Sequence, residues 1–187
     1  MIPIRNKKKT LSATVEEMRN FAFAYVEKHA PSKQQLKTYL LKKYLKTSIT
    51  TVKKQDVKNL IDVVLLDLEE NKFINDKFYS ESKAASMIRR GNSINKIRNY
   101  LIGKGINNQF INDAVNKIQD ENSDQDFFSA IIVCKKKRIG PARTEDNRQI
   151  FYKKDISLLA RNGFDFETSK KVMDLDKADF TKIINLL

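Results

Sequence analysis

Two side chains in this 187-residue chain could start nucleophilic, acid–base or metal chemistry, and each stands alone. His29 is the single histidine and Cys134 the single cysteine. A zinc site needs about four nitrogen or sulfur ligands at short spacings, which these residues cannot assemble. A nucleophile needs a base within reach, and no such pair exists beyond His29 itself. His29 falls in an inter-helix turn, so it reads as structural or solvent-exposed. Gly103-Lys104-Gly105 lacks the preceding strand and the rest of a phosphate loop. The carboxylate pairs Glu69-Glu70 and Asp174/Asp176 fall at helix ends with no apolar pocket implied. No catalytic centre, metal or cofactor is expected, and the chain is not expected to be an enzyme. With one cysteine there is no internal disulfide, which fits a reducing cytoplasm.

The remaining chemistry is cationic. The net charge is +13, and residues 1–54 hold 13 basic against 3 acidic side chains, whereas 55–75 are acidic. Such an excess favours polyanionic partners, nucleic acid or a nucleoprotein first. Arg89-Arg90 and Lys135, Lys136, Lys137, Arg138 both end a first helix. Cations there complement the helix dipole. That accounts for a pair better than for four consecutive cations, which repel one another. Lys96 lies opposite the apolar stripe of its helix, Lys104 follows that helix, and Arg98 borders the stripe with a stem that can be buried. These nine residues are the candidate partner-binding or DNA-binding face. Tyr39 and Tyr100 could stack on bases, but at helical spacing they read first as packing residues.

The elements that position them are helices. Between Asn75 and Ile118 three short amphipathic patterns alternate with two glycine stops, Gly91 and Gly105. Phe78, Ser82, Ala85 and Ile88 fall on one face of the first. Ser93 caps the second, with Ile94, Ile97 and Leu101 inward, and Asn107 caps the third, with Phe110, Ile111, Ala114, Val115 and Ile118 inward. None is long enough to persist alone in water, so the three must bury their stripes together.

The pattern repeats. Ser32 to Tyr44 lies 61 residues before Ser93 to Gly105, with Ser32/Ser93, Tyr39/Tyr100, Leu40/Leu101 and Lys43/Lys104 coinciding. Thr14 with Glu17 forms a capping box for a helix through Lys28, and Ala30-Pro31 ends it. Residues 45–54 read as a loop, and Asp56 to Glu70 as a third helix. In the last third, Phe127, Phe128, Ile131, Ile132 and Cys134 make an apolar helix, and residues 142–151 are either loop or the start of the next one. Asp155 to Asn162 follows with Ile156, Leu159 and Ala160 inward. Phe166, Ser169, Val172 and Met173 come next, and Asp179 to Leu187 closes the chain. The expectation is all-α: an elongated, curved array of three tandem three-helix repeats. Its parts are a mobile basic tail over 1–13 and units over 14–72, 73–120 and 121–187. No run of 18 apolar residues is present, so no membrane span is expected.

Phe73-Ile-Asn-Asp-Lys-Phe78, Arg89-Arg-Gly91 and Leu101-Ile-Gly-Lys-Gly-Ile106 resemble the central signature of the RecX family of bacterial regulatory proteins. Arg161-Asn-Gly-Phe164 looks like that family's C-terminal Arg-Arg-Gly-Phe turn, and Lys28-His-Ala-Pro-Ser32 with Leu36 is similar to its N-terminal Ser-x-x-Glu-Leu pattern. Gln35 in place of glutamate and the 45–54 insertion depart from it. The resemblance spans residues 20–175. It implies a cytoplasmic monomer that binds the RecA–DNA filament within its groove and suppresses strand exchange and ATP turnover, regulating recombination, repair and the SOS response. Whether DNA is also contacted directly stays open, as does inhibition by capping, groove blocking or disassembly. The alternative is a helical protein that binds single- or double-stranded DNA directly, with Ser93–Gly105 as recognition helix.

Overall fold

A computed structural model describes residues 11–46 and 53–187. Among these the protein is all-α, with ten α-helices, one 3-10 turn and no strand. The described residues up to Tyr79 form one compact unit and Ser80–Leu187 a second. Residues 1–10 of the basic tail and 47–52 of the expected loop lie outside the described residues.

The first unit packs α1 (Val15–His29), α2 (Lys33–Lys46) and α3 (Lys54–Glu70) around Met18, Ala22, Leu36, Leu40, Ile61 and Leu65. Thr14 caps α1 as expected, but the Glu17 side chain reaches the two N–H groups before Thr14 and not the one at Thr14 itself. Thr14 Oγ1 accepts from Glu17 N at 3.2 Å, while Glu17 Oε2 accepts from Ser12 N and Ala13 N. Gln35 replaces glutamate without loss of the cap: Ser32 Oγ accepts from Gln35 N at 3.2 Å and Gln35 Oε1 accepts from Ser32 N at 3.1 Å. The two reciprocal bonds need only acceptors, which an amide supplies as well as a carboxylate. Residues 11–13 are not tail, since Ala13 is buried and Leu11 packs on the core. The helices also extend into the expected loop, because Leu45 packs on that core and α3 begins at Lys54.

The division between the units falls inside α4 (Asp76–Ile88). Its buried residues are Tyr79, Ser80, Ala84 and Met87, whereas Phe78 is 69% exposed and Ser82 and Ala85 are also exposed. The inward face is therefore turned by about one residue from the one the apolar spacing predicts. Small side chains decide it: Ser80 Oγ donates to Phe110 O at 3.3 Å, an approach that a bulky residue there would block.

The second unit continues with α5 (Ile94–Gly103), α6 (Asn108–Glu121), α7 (Gln125–Lys137), a 3-10 turn at Gly140–Ala142, α8 (Glu145–Arg161), α9 (Phe166–Met173) and α10 (Lys177–Leu186). Ser93 and Asn107 cap α5 and α6, and Ile97, Leu101, Ile111, Ala114 and Val115 are buried as expected. Residues 142–151 turn out to be mostly helix, because α8 starts ten residues before Asp155. Asp155 is consequently a buried mid-helix acid and not a helix start, and Ala160 faces solvent. Phe166, which opens the apolar pattern of α9, is 67% exposed, and the terminal Leu187 is 60% exposed.

One device recurs in both units. The N–H of Lys33, first residue of α2, donates to Asp76 Oδ1 at 2.8 Å, and the N–H of Ile94, first residue of α5, donates to Asp126 Oδ1 at 2.8 Å. Each aspartate thus caps a helix that already has its own buried serine cap, Ser32 or Ser93. Two orphan N–H groups per helix end are satisfied where water is excluded. Burial raises both carboxyl pKa values, and the donated N–H bonds pull them back only in part. Asp126→Ala should cost about 1 kcal/mol, and Asp126→Asn less, because an amide oxygen still accepts from Ile94 without a charge to desolvate. Chemical denaturation of the three proteins checks that order.

Candidate partner-binding surface

The surface is assembled at one turn. Helix α4 ends in Arg89-Arg90, and Gly91 takes φ +80, which lets the chain reverse. A Cβ on Gly91 would lie 2.7 Å from Ile132 Cγ2 and 3.0 Å from Ser129 O, so only glycine lets α7 come this close. That approach places the end of α7 beside the end of α4. Lys136 Nζ donates to Arg90 O at 2.9 Å, and Arg90 Nη2 donates to Ser86 Oγ at 2.7 Å. Lys135, Lys137 and the left-handed residue Arg138 (φ 52) extend from the same helix end and are exposed, as is Arg89.

Two residues on from Gly91, Ser93 caps α5 and ties it to the α8–α9 turn. Ser93 Oγ donates to Asn162 O at 2.8 Å, Asn95 Nδ2 donates to Gly163 O at 3.3 Å, and Lys96 Nζ donates to Asn162 Oδ1 at 3.2 Å. Lys96 therefore sits at this junction, with Arg161 at the adjoining end of α8. Arg161 was absent from the expected site although it stands in the Arg161-Asn-Gly-Phe164 motif; that motif was the signal. Arg98, on α5, and Lys104, just past its end, lie away from this junction. Arg98 Nη1 donates to Asn112 Oδ1 at 2.7 Å, toward α6, and Lys104 lies past the far end of the helix with its Nζ 5.1 Å from the Tyr100 ring centroid.

Electrostatically the junction is unbalanced. Among the described residues no carboxylate pairs with Arg89, Arg90, Lys96, Lys135, Lys136, Lys137, Arg138 or Arg161; ion pairs in the second unit such as Lys117–Glu81, Arg143–Asp155 and Arg148–Glu145 involve other cations. Two acids near this junction are already engaged: Asp126 accepts from Ile94 N, and Asp165 accepts from Thr168 N. Part of this charge complements two helix C-termini. The rest is available to an anionic partner.

The two reactive side chains are placed for structure. Cys134 is buried, and its thiol is pushed up to about 12, chiefly by burial and also by Asp155, so it is not a thiolate near neutrality. His29 ends α1 and rests on the Tyr25 ring, centroids 4.5 Å apart. No helix among the described residues is long and apolar enough to cross a membrane.

No family model matches the chain. It is 30% identical over 176 residues to "Regulatory protein RecX" of Myxococcus xanthus (strain DK1622), covering 93% of each chain. It is 26% identical over 167 residues to the protein of that name from Agrobacterium fabrum (strain C58 / ATCC 33970), covering 89% of this chain and 87% of the relative. The fold is like the crystal structure of RecX from Lactobacillus salivarius, with a TM-score of 0.60 at 18% identity over 92% of this chain and 97% of that one.

Proposed function

The chain belongs to the RecX family of regulatory proteins, and from that premise we propose that it binds the RecA–DNA filament and inhibits it, with no turnover of its own. The observation that carries this is the set of cations gathered at Gly91 without carboxylate partners. Such a surface fits either acidic protein surface or the phosphates that a recombinase leaves accessible. In this reading the three units, 14–72, 73–120 and 121–187, touch different parts of the filament groove. Linked weak contacts then add through effective concentration, so one cytoplasmic monomer holds on without any single strong anchor.

The test follows RecA's DNA-dependent ATP hydrolysis as the protein is added. Hydrolysis should fall to a low plateau, and the inhibitory concentration should rise with salt as the charges are screened. Reversing both Arg89 and Arg90 to glutamate should raise that concentration about tenfold or more, because attraction becomes repulsion at the centre of the cluster. Helicity should be unchanged, since both side chains are exposed. If hydrolysis persists at saturating protein while naked DNA binds as tightly as filament, direct action on DNA replaces this reading.

A further inference from the structure

The outward side of α3 carries an apolar spot between acids. The buried stripe of this helix is Val57, Ile61, Val64, Leu65 and Leu68, yet Val63 and Leu66 are 54% and 53% exposed. At 100° per residue both lie about 150° from the middle of that stripe and about 60° from each other. Asp56 and Glu70 stand one heptad before and after Val63 and share its side of the helix. Both are exposed, and neither forms an ion pair among the described residues. Asp62 and Asp67, at the flanks of this side, are taken by Lys37 and Arg19. Single exposed apolar residues are ordinary on a protein surface. Two together between unpaired carboxylates, in a chain of net charge +13, make a surface that fits a segment both apolar and basic.

The chain itself holds such a segment, rooted beside this face. Residues 1–10 contain Ile2 and Ile4, then Arg5, Lys7, Lys8 and Lys9, and no acid. The residue that follows them, Leu11, packs on the core of the first unit. Arg19 Nε donates to Asp67 Oδ2 at 2.9 Å, and the Phe23 and Phe73 ring centroids are 4.8 Å apart. Helix α1 therefore runs alongside α3 in the same direction and starts near the level of Val63. Lys33 and Lys37 of α2 pair with Glu69 and Asp62 on the other flank, and the side between is open to solvent. Ten extended residues reach about 30 Å, and the 17 residues of α3 span about 25 Å. The segment is long enough to cross the whole face.

We propose that residues 1–10 are a basic arm that docks on the outward side of α3, with Ile2 and Ile4 on Val63 and Leu66 and the cations of Arg5, Lys7, Lys8 and Lys9 beside Asp56 and Glu70. An acidic face repels phosphate, so nucleic acid is not its occupant. Tethering makes the contact intramolecular, and a short linker supplies an effective concentration of about a millimolar, so weak contacts suffice. Docked, the arm covers the apolar spot and neutralises the most basic stretch of the chain. Any anionic partner must then compete with α3 for it.

The test uses the full chain with paired cysteines, oxidised at low protein concentration without RecA or DNA; the native Cys134 is buried and does not compete. Asn6 falls on the same side of an extended segment as Ile2 and Ile4, and Asn59 is exposed one turn before Val63. Asn6→Cys with Asn59→Cys should close an intramolecular disulfide about tenfold faster than Asn6→Cys with Lys42→Cys. Lys42 controls for reach, because it is exposed near the end of α2, where Tyr44 Oη donates to Glu17 at 2.9 Å close to the root of the arm. Asp56→Lys with Glu70→Lys should abolish the preference at unchanged helicity, and adding Lys7→Glu with Lys9→Glu should restore it. Raising the salt concentration should weaken it. Equal rates at the two pairs, or a preference that survives the charge reversal, would overturn the docking. A disulfide that forms only between two chains would overturn it too, and assign the face to a second copy. Filament inhibition plays no part in any arm, so the two readings fail separately.

Discussion

Replacing Asp155 with alanine is expected to remove about 3 kcal/mol of stability from the second unit, the largest loss from any single acid in the chain. Asp155 is 1% exposed and makes three hydrogen bonds. Its Oδ2 accepts from Arg143 Nε at 2.6 Å and from Gly140 N at 2.9 Å, and its Oδ1 accepts from Arg143 Nη2 at 2.9 Å. Those bonds fasten the 3-10 turn between α7 and α8 to the middle of α8. Alanine would leave a buried N–H without a partner and a guanidinium held only by the Phe151 ring, 4.5 Å away. Arg143 is partly exposed and can recover some hydration, which places the loss at the lower end for a broken buried pair. Burial by itself would raise the carboxyl pKa; the Arg143 fork and the Gly140 N–H outweigh it and hold the pKa below the usual aspartate range. A depressed folded pKa means stability that is present above the unfolded pKa, about 3.9, and is lost as pH falls through the folded value. The gap between wild type and Asp155→Asn should therefore be full at neutral pH and close as the solution is acidified below about pH 4. Cys134 offers a second readout, because its thiol is buried and a thiol reagent reaches it only when this unit opens. Equal labelling rates for wild type and Asp155→Ala would refute the assignment.

Asp155 also shows where sequence reasoning stopped. An aspartate ahead of Ile156, Leu159 and a glycine has the appearance of a helix start. Its partner Arg143 lies twelve residues earlier in a polar stretch with no apolar rhythm, so the first half of α8 had no periodic signal. Local signals fared better. Thr14, Ser32, Ser93 and Asn107 all begin helices where a side-chain oxygen can reach the following N–H, and Gly91, Gly105 and Gly163 all adopt positive φ. These depend on chemistry within four or five residues, which the chain displays openly. The inward face of α4 depended instead on which side chains are small enough to approach α6, and Phe78 misled for that reason. The candidate surface was legible as composition and not as geometry. Nothing near Arg90 announces Lys136, 46 residues away. The contact exists because Ile132 packs against a glycine.

Gly163 sets up a direct comparison with another glycine, Gly103, and the same substitution should have opposite signs at the two. Gly163 has φ +90, and a Cβ there would lie 2.5 Å from Ser93 Oγ and 3.3 Å from Lys96 N. Ser93 cannot yield cheaply: its hydroxyl donates to Asn162 O and accepts from Lys96 N, so moving it uncaps α5 and releases the α8–α9 turn together. Left-handed strain of about 1–2 kcal/mol adds to a lost cap of about 1 kcal/mol, and Gly163→Ala should cost roughly 3 kcal/mol. Gly103 is the last residue of α5, and a Cβ there meets nothing within 4 Å. Gly103→Ala should stabilise by about 0.5–1 kcal/mol, since alanine restricts the unfolded chain and suits a helix. For a chain of this length the difference amounts to roughly 10 °C or more between the two melting temperatures. The functional consequence differs as well. Lys96 reaches Asn162 across the junction that Gly163→Ala disrupts, so that variant should inhibit filament hydrolysis less well even where it remains folded. Gly103→Ala should inhibit as wild type does. Matching melting temperatures for the two variants would show that the Ser93–Gly163 contact does not hold α5 in place, and the cation cluster would need another support.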